Sequence, residues 1–120
     1  MEPISVVVYQ CDPRTAQSLA VGLSQKFSSV HLAPTREDLR PVIKSNRAQV
    51  LVFDMETSST GEVERIHDEF PNLSIVCTHR LADDELWTEA MSRGAADVCM
   101  PQRDEVERSV MRTRMHRAAA

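Results

Sequence analysis

Val50-Leu51-Val52-Phe53-Asp54 decides the fold of this chain. The apolar run is long enough for one buried strand, and it ends abruptly in a carboxylate. Continuous apolar strands belong to parallel sheets covered on both faces. In such sheets, ligands and reacting groups sit just past the carboxyl ends of the strands. Asp54 stands at such an end. Two further runs have the same form. Ile4-Ser5-Val6-Val7-Val8-Tyr9 leads into Gln10-Cys11-Asp12-Pro13, and Leu73-Ser74-Ile75-Val76-Cys77 ends in Thr78. A carboxylate, a hydroxyl and a second acid at three strand ends point to one shared site.

Between these runs the apolar period becomes helical. Asp12-Pro13 supplies an N-cap and a proline for the first helical position. Ala16, Leu19, Ala20, Leu23 and Phe27 then recur at helical spacing. Val30 to Ala33 reads as a short edge strand. Thr35 to Ser45 reads as a second helix beginning near Asp38, with Pro41 in its first turn, where the missing N–H does no harm. Thr57 to Gly61 is loop by composition. Val63, Ile66 and Phe70 mark a third helix, stopped by Pro71-Asn72. Asp83 caps a fourth, carrying Leu86, Ala90 and Met91 and stopped by Gly94. Asp97 to Met100 is a short fifth strand closed by Pro101. Asp104 caps a last helix with Val106, Val110 and Met111 inward. Arg112, Arg114, His116 and Arg117 suit its C-terminal end, where cations meet the negative end of the dipole.

Strands alternating with helices through short connections predict an α/β fold. Right-handed crossovers make it a doubly wound, five-stranded parallel sheet of order 2-1-3-4-5, a flavodoxin-like three-layer sandwich. Residues 1–120 read as a single domain without repeats or linkers. A net charge of −4 argues against a general binder of nucleic acid or membrane, both of which call for a basic face. No apolar run approaches the length of a membrane span. A strand starts within a few residues of Met1, which leaves no room for a signal peptide, so a cytoplasmic location is expected.

Cys11, Cys77 and Cys99 lie in or beside apolar runs and form no CxxC pair, so buried reduced thiols are expected. His31, His67, His79 and His116 fall on separate elements without ligand-like spacing. His79 fits either a solvated loop or the rim of the mouth beside Thr78. Gln10 to Pro13 contains no glycine, so no glycine-rich phosphate loop follows the first strand. No nucleophile–base pair supports a freestanding turnover enzyme.

The strand ending in Asp54, the strand ending in Thr78 and the Gly94-Ala95 step into a strand closed by proline occur in a specific order and spacing. In this, essentially the whole chain resembles the receiver domain of bacterial two-component response regulators. The resemblance implies that an aspartate after the third strand takes a phosphoryl group from a histidine kinase. Two acids after the first strand hold Mg²⁺, a Thr or Ser after the fourth binds the phosphoryl group, and a Lys after the fifth does the same. By position, Asp54 is the phosphoacceptor and Thr78 the switch hydroxyl. Elsewhere the chain departs. The acid pair falls on Gln10 and Cys11, leaving Asp12. The lysine falls on Met100 or Pro101, and the aromatic switch residue on Val98. The loop after Asp54 is shortened and lacks the family's proline.

Phosphoryl transfer rests on positioning and on neutralising charge with a metal and a cation. Mg²⁺ wants hard oxygen ligands. Gln10 offers a neutral carbonyl, Cys11 a soft thiol, and Met100 no charge. Losing such contacts costs several kcal/mol of transition-state stabilisation, at ~3 kcal/mol for one preorganised contact. Asp54 and Asp12 then make a weak Mg²⁺ site at best, and no other cofactor is expected. Asp12 fits a metal ligand or a helix cap; Asp54 fits a nucleophile or a carboxylate held by backbone N–H groups. Trp87 fits a partner anchor or the cover of a helix–helix seam.

The expected function is therefore an atypical receiver acting mainly as a protein-interaction module, with weak or no phosphorylation. The alternative is a receiver phosphorylated on Asp54 by a histidine kinase. Expected partners are a signalling protein, the kinase, or a second copy. The second copy would dock on the face of the fourth helix, fifth strand and fifth helix around Trp87, Arg108, Arg112 and Arg117. Neither nucleic acid nor membrane is expected.

Overall fold

Val50–Asp54 forms β3, and every one of its residues is buried, as a strand covered on both faces must be. The computed structural model describes the backbone of residues 2–119 and the side chains of residues 3–114. The chain runs β1 (Glu2–Tyr9), α1 (Pro13–Ser24), β2 (Phe27–Leu32), α2 (Arg36–Asn46), β3, α3 (Thr60–Glu69), β4 (Ser74–Thr78), α4 (Asp84–Ser92), β5 (Asp97–Cys99) and α5 (Arg103–Ala119). The strands form one parallel sheet of order β2-β1-β3-β4-β5, as the alternation of elements predicts. No helix of the described residues is long and apolar enough to cross a membrane.

The pleat sends successive side chains to opposite faces. Val7, Leu51, Phe53 and Ile75 pack against Leu39, Ile43, Val63, Ile66 and Ala90 of α2, α3 and α4. Val6, Val8, Val52 and Val76 pack against Leu19 and Leu23 of α1 and Val106 and Val110 of α5. Full burial of a side chain such as Phe53 contributes roughly 1.5–3 kcal/mol. The helices start where their caps dictate. Asp12 accepts from the Arg14 N–H ahead of Pro13, Ser59 and Glu62 close a capping box, and Asp83 accepts from the Leu86 N–H.

Four local expectations are corrected. Phe27 is not on α1. That helix ends at Ser24, where the Lys26 N–H turns back to the Leu23 carbonyl, and Phe27 opens β2 opposite Glu2. Phe27 matches the helical period because it is buried in the same cluster as Leu19 and Leu23. Second, α2 starts at Arg36 rather than near Asp38, with the Thr35 hydroxyl donating to the Asp38 carboxylate at 2.7 Å. Pro41 therefore sits in the second turn, where it removes the N–H that would bond the Glu37 carbonyl. Third, Asp104 does not cap α5. The Gln102 carbonyl takes the Val106 N–H, and Asp104 lies inside the helix, 3.6 Å from Arg108. Fourth, α3 begins at Thr60, within the segment expected to be loop. His116 and Arg117 lie outside the described side chains.

Gly94 ends α4 with φ +111°, and a Cβ there would meet the His67 ring at 2.6 Å. Gly94→Ala combines left-handed strain with this clash. Urea denaturation should show a loss of about 2 kcal/mol or more.

Candidate functional site

Asp54 and Thr78 end adjacent strands and pair directly in the β3–β4 register. Both are buried, Asp54 at 5% exposure and Thr78 at 1%. Both oxygens of the Asp54 carboxylate accept hydrogen bonds from their surroundings. Oδ2 accepts from the Cys11 backbone N–H at 2.9 Å and from the Thr57 hydroxyl at 3.3 Å. Oδ1 accepts from the Glu56 N–H at 2.8 Å. Hydrogen bonds to a charged acceptor are the stronger kind, and three of them hold this side chain in place.

Gln10 is buried beside them. Its Nε2 donates to the Thr78 Oγ1 at 2.8 Å, and the Thr78 hydroxyl faces the Phe53 carbonyl at a long 3.5 Å. Thr78 is thus held by its neighbours rather than left to turn. Asp12 is a cap. Its Oδ1 accepts from the Arg14 N–H at 3.3 Å and its Oδ2 from the Thr15 hydroxyl at 2.7 Å. The Thr15 bond is the main reason its pKa falls below the ordinary value.

Asp54, Asp12, Gln10 and Cys11 line one cleft of about 340 Å³, with Thr15, Glu56, Thr57, Arg80 and Pro101 around them. Thr78 lies beneath Gln10 rather than in the cleft wall. Cys11 is exposed, which corrects the expectation of a buried thiol, because its backbone turns in to reach Asp54. Cys77 and Cys99 are buried in separate clusters, and burial pushes both thiols up to about 12. His79 is not on the cleft; its Nδ1 accepts the Leu81 N–H at 2.9 Å and shapes the turn after β4.

Sequence reasoning missed three members of this region. Glu56 and Arg80 each stand two residues past a strand end, and their side chains meet across the cleft at 2.8 Å. Matching offsets from paired strand ends were the available signal. Arg36, at the start of α2, bonds the Thr57 carbonyl, the Ser58 hydroxyl at 2.9 Å and the Glu62 carboxylate at 3.1 Å. The Tyr9 hydroxyl is the first cause of its raised pKa. Arg36 thereby pins the loop that carries Thr57 to Asp54.

After β5, Pro101 lines the cleft, whereas Met100 lines a separate cavity of about 410 Å³ with Val98, Cys99 and Glu105. Neither brings a charge. Three acids line the cleft, Asp12, Asp54 and Glu56, and each already accepts hydrogen bonds or an ion pair, which makes a poor match to the hard, free oxygen ligands Mg²⁺ prefers. Both Asp12 oxygens serve the cap, Gln10 is turned to Thr78, and Cys11 is soft. Among the described residues, no three acids, cysteines or histidines are grouped to hold a metal.

On the sheet edge, Trp87 is 47% exposed above a groove lined by His67, Leu73, Met91, Gly94, Ala96 and Thr113. Arg112 bonds Asp97 at 2.7 Å, and the Ser109 hydroxyl donates to the same carboxylate at 2.6 Å. Burial would raise the Asp97 pKa, but these bonds outweigh it and hold the group below its ordinary value.

No protein-family model matches the chain, and no curated protein does. Solved structures do. A response regulator from Thermotoga maritima superposes with a TM-score of 0.82 at 19% identity, covering 94% of this chain and 98% of that one. A two-component response regulator from Clostridium difficile gives 0.80 at 18% identity, over 98% and 99% of the two chains. The BeF3-activated DrrB receiver domain gives 0.75 at 19%, over 94% and 98%. The chain has the fold of these receiver domains.

With its acids committed elsewhere, the cleft should bind Mg²⁺ more weakly than millimolar. An NMR titration following the Cys11 and Glu56 amides checks this, and sub-millimolar saturation would contradict it.

Proposed function

We propose that this chain is an atypical receiver in two-component signal transduction, working in the cytoplasm mainly as a protein-interaction module rather than as an enzyme. Phosphorylation is weak or absent. One observation carries this reading: Gln10 stands where the resembled family has an acid and donates to Thr78 at 2.8 Å. A neutral amide there binds the switch hydroxyl instead of a metal. Asp54 is satisfied by backbone N–H groups in the same way. A buried polar network with its partners in place is stable as it stands, and it gains little from rearranging.

The partner surface is the edge formed by α4, β5 and α5. Trp87 supplies an exposed aromatic beside an apolar groove, Arg112 supplies charge at the groove wall, and Arg108 lines the neighbouring cavity with it. This is the composition of an interface core with a polar rim. Val98 stands where the resembled family carries an aromatic switch, so any response of this edge to Asp54 proceeds without that switch. The occupant is a signalling protein or a second copy of the chain.

A second reading, phosphorylation of Asp54 by a histidine kinase, is favoured by a specific feature. The cleft over Asp54 is open and a guanidinium, Arg80, borders it.

One pair of variants separates the two. Trp87→Ala should weaken association by about 2 kcal/mol, the size of an interface hot spot. Asp54→Asn should leave it unchanged. Light scattering across a concentration series reads both. Loss of association in Asp54→Asn with Trp87→Ala unaffected would establish the second reading instead.

A further inference from the structure

Taking the second reading as its premise, we infer that Arg80 is the anion-binding residue of the Asp54 cleft, exchanging Glu56 for a tetrahedral phosphoryl-type group carried by Asp54. The register makes the arrangement. Asp54 pairs with Thr78, so the residues two beyond each, Glu56 and Arg80, face one another across the opening. Their contact, Arg80 Nε to Glu56 Oε1 at 2.8 Å, sits at the rim of the cleft that Asp54 lines.

Two cations approach this region, and they differ in what they are free to do. Arg36 is spent on the Thr57 carbonyl, the Ser58 hydroxyl and the Glu62 carboxylate, so moving it would release the loop that holds Thr57. Arg80 is 77% exposed and reaches Glu56 with a single nitrogen. An exposed ion pair is held weakly and exchanges its partner readily. The charge of Asp54 and Asp12 already reaches Arg80, alongside the larger effect of Glu56. A guanidinium presents a planar fork of donors that matches phosphate oxygens in pairs. Glu56 gives it one carboxylate oxygen, so a phosphoryl-type group offers more than the resting partner does.

The position after β5, where the resembled family has its lysine, holds Met100 and Pro101. Arg80 approaches from the neighbouring strand instead. Stabilising a phosphoryl group depends on where positive charge sits, not on which strand delivers it. In the resting protein Glu56 holds this charge against the β3 side of the cleft, which keeps the cation near Asp54 without neutralising it.

Beryllofluoride, which copies the shape and charge of a phosphoryl group on a carboxylate, is the probe. Nitrogen-15 NMR of the full chain follows the Arg80 Nε–H together with the Cys11 and Glu56 amides. All three should shift in the wild type and none in Asp54→Asn. Arg80→Ala should weaken the response of the two amides about tenfold. Arg80→Lys should restore part of it, and Glu56→Gln should strengthen it several-fold, because the competing carboxylate charge is gone. If the two amides titrate equally in wild type and Arg80→Ala, Arg80 is not the anion-binding residue, while Asp54 remains an acceptor. If no signal moves in any variant, Asp54 does not carry the group, and both the premise and the inference are overturned.

Discussion

The site depends on the register of β1, β3 and β4. Tyr9 pairs with Phe53, and Asp54 with Thr78, so three strands stop at one edge of the sheet. The Met55 N–H reaches the Thr78 carbonyl at 2.9 Å and continues the ladder one step past the strand. In a sheet covered on both faces the backbone groups have no water to turn to, so this ladder admits no slippage. A shift of one residue would also send Phe53 to the wrong face. The core therefore positions the carboxylate and the hydroxyl before any chemistry is considered.

What stands around those two groups is a matter of satisfying polar atoms away from water. An unpartnered buried donor or acceptor costs about 1–3 kcal/mol. Gln10 and Thr78 answer each other, and Asp54 is answered by Cys11, Glu56 and Thr57. These contacts satisfy the buried polar atoms of the site. Arg36 extends the same logic outward by tying the loop after β3 to α2 and α3. The asymmetry between the two arginines follows. Arg36 has become structure, and Arg80 has stayed at the rim.

Much of this was legible in the sequence where a residue's role is local. The run Val50–Asp54, the Asp12-Pro13 start of α1 and the Gly94 stop of α4 are short-range signals, and each stands where expected. Phe27 fits the helical spacing although it opens β2, because a strand residue and a helix face can bury the same side of a sheet, and spacing alone does not separate them. Asp104 and Asp38 both look like caps, but the chain enters each helix earlier than the acid. The Glu56–Arg80 pair joins residues 24 apart and depends on two loops closing over one register, which no window along the chain contains. Cys11 follows an apolar run, which suggests burial, yet its side chain stays out while its backbone reaches Asp54.

The central claim is that this receiver fold carries a carboxylate too well satisfied by its neighbours, and too poorly supported by metal ligands, to be an efficient phosphoacceptor. Intact-mass measurement after incubation with acetyl phosphate and Mg²⁺ tests it most directly, with Asp54→Asn as control. The account predicts that at most a minor fraction of the wild type gains one phosphoryl group and that the control gains none. Near-complete phosphorylation of the wild type, absent from Asp54→Asn, would contradict it.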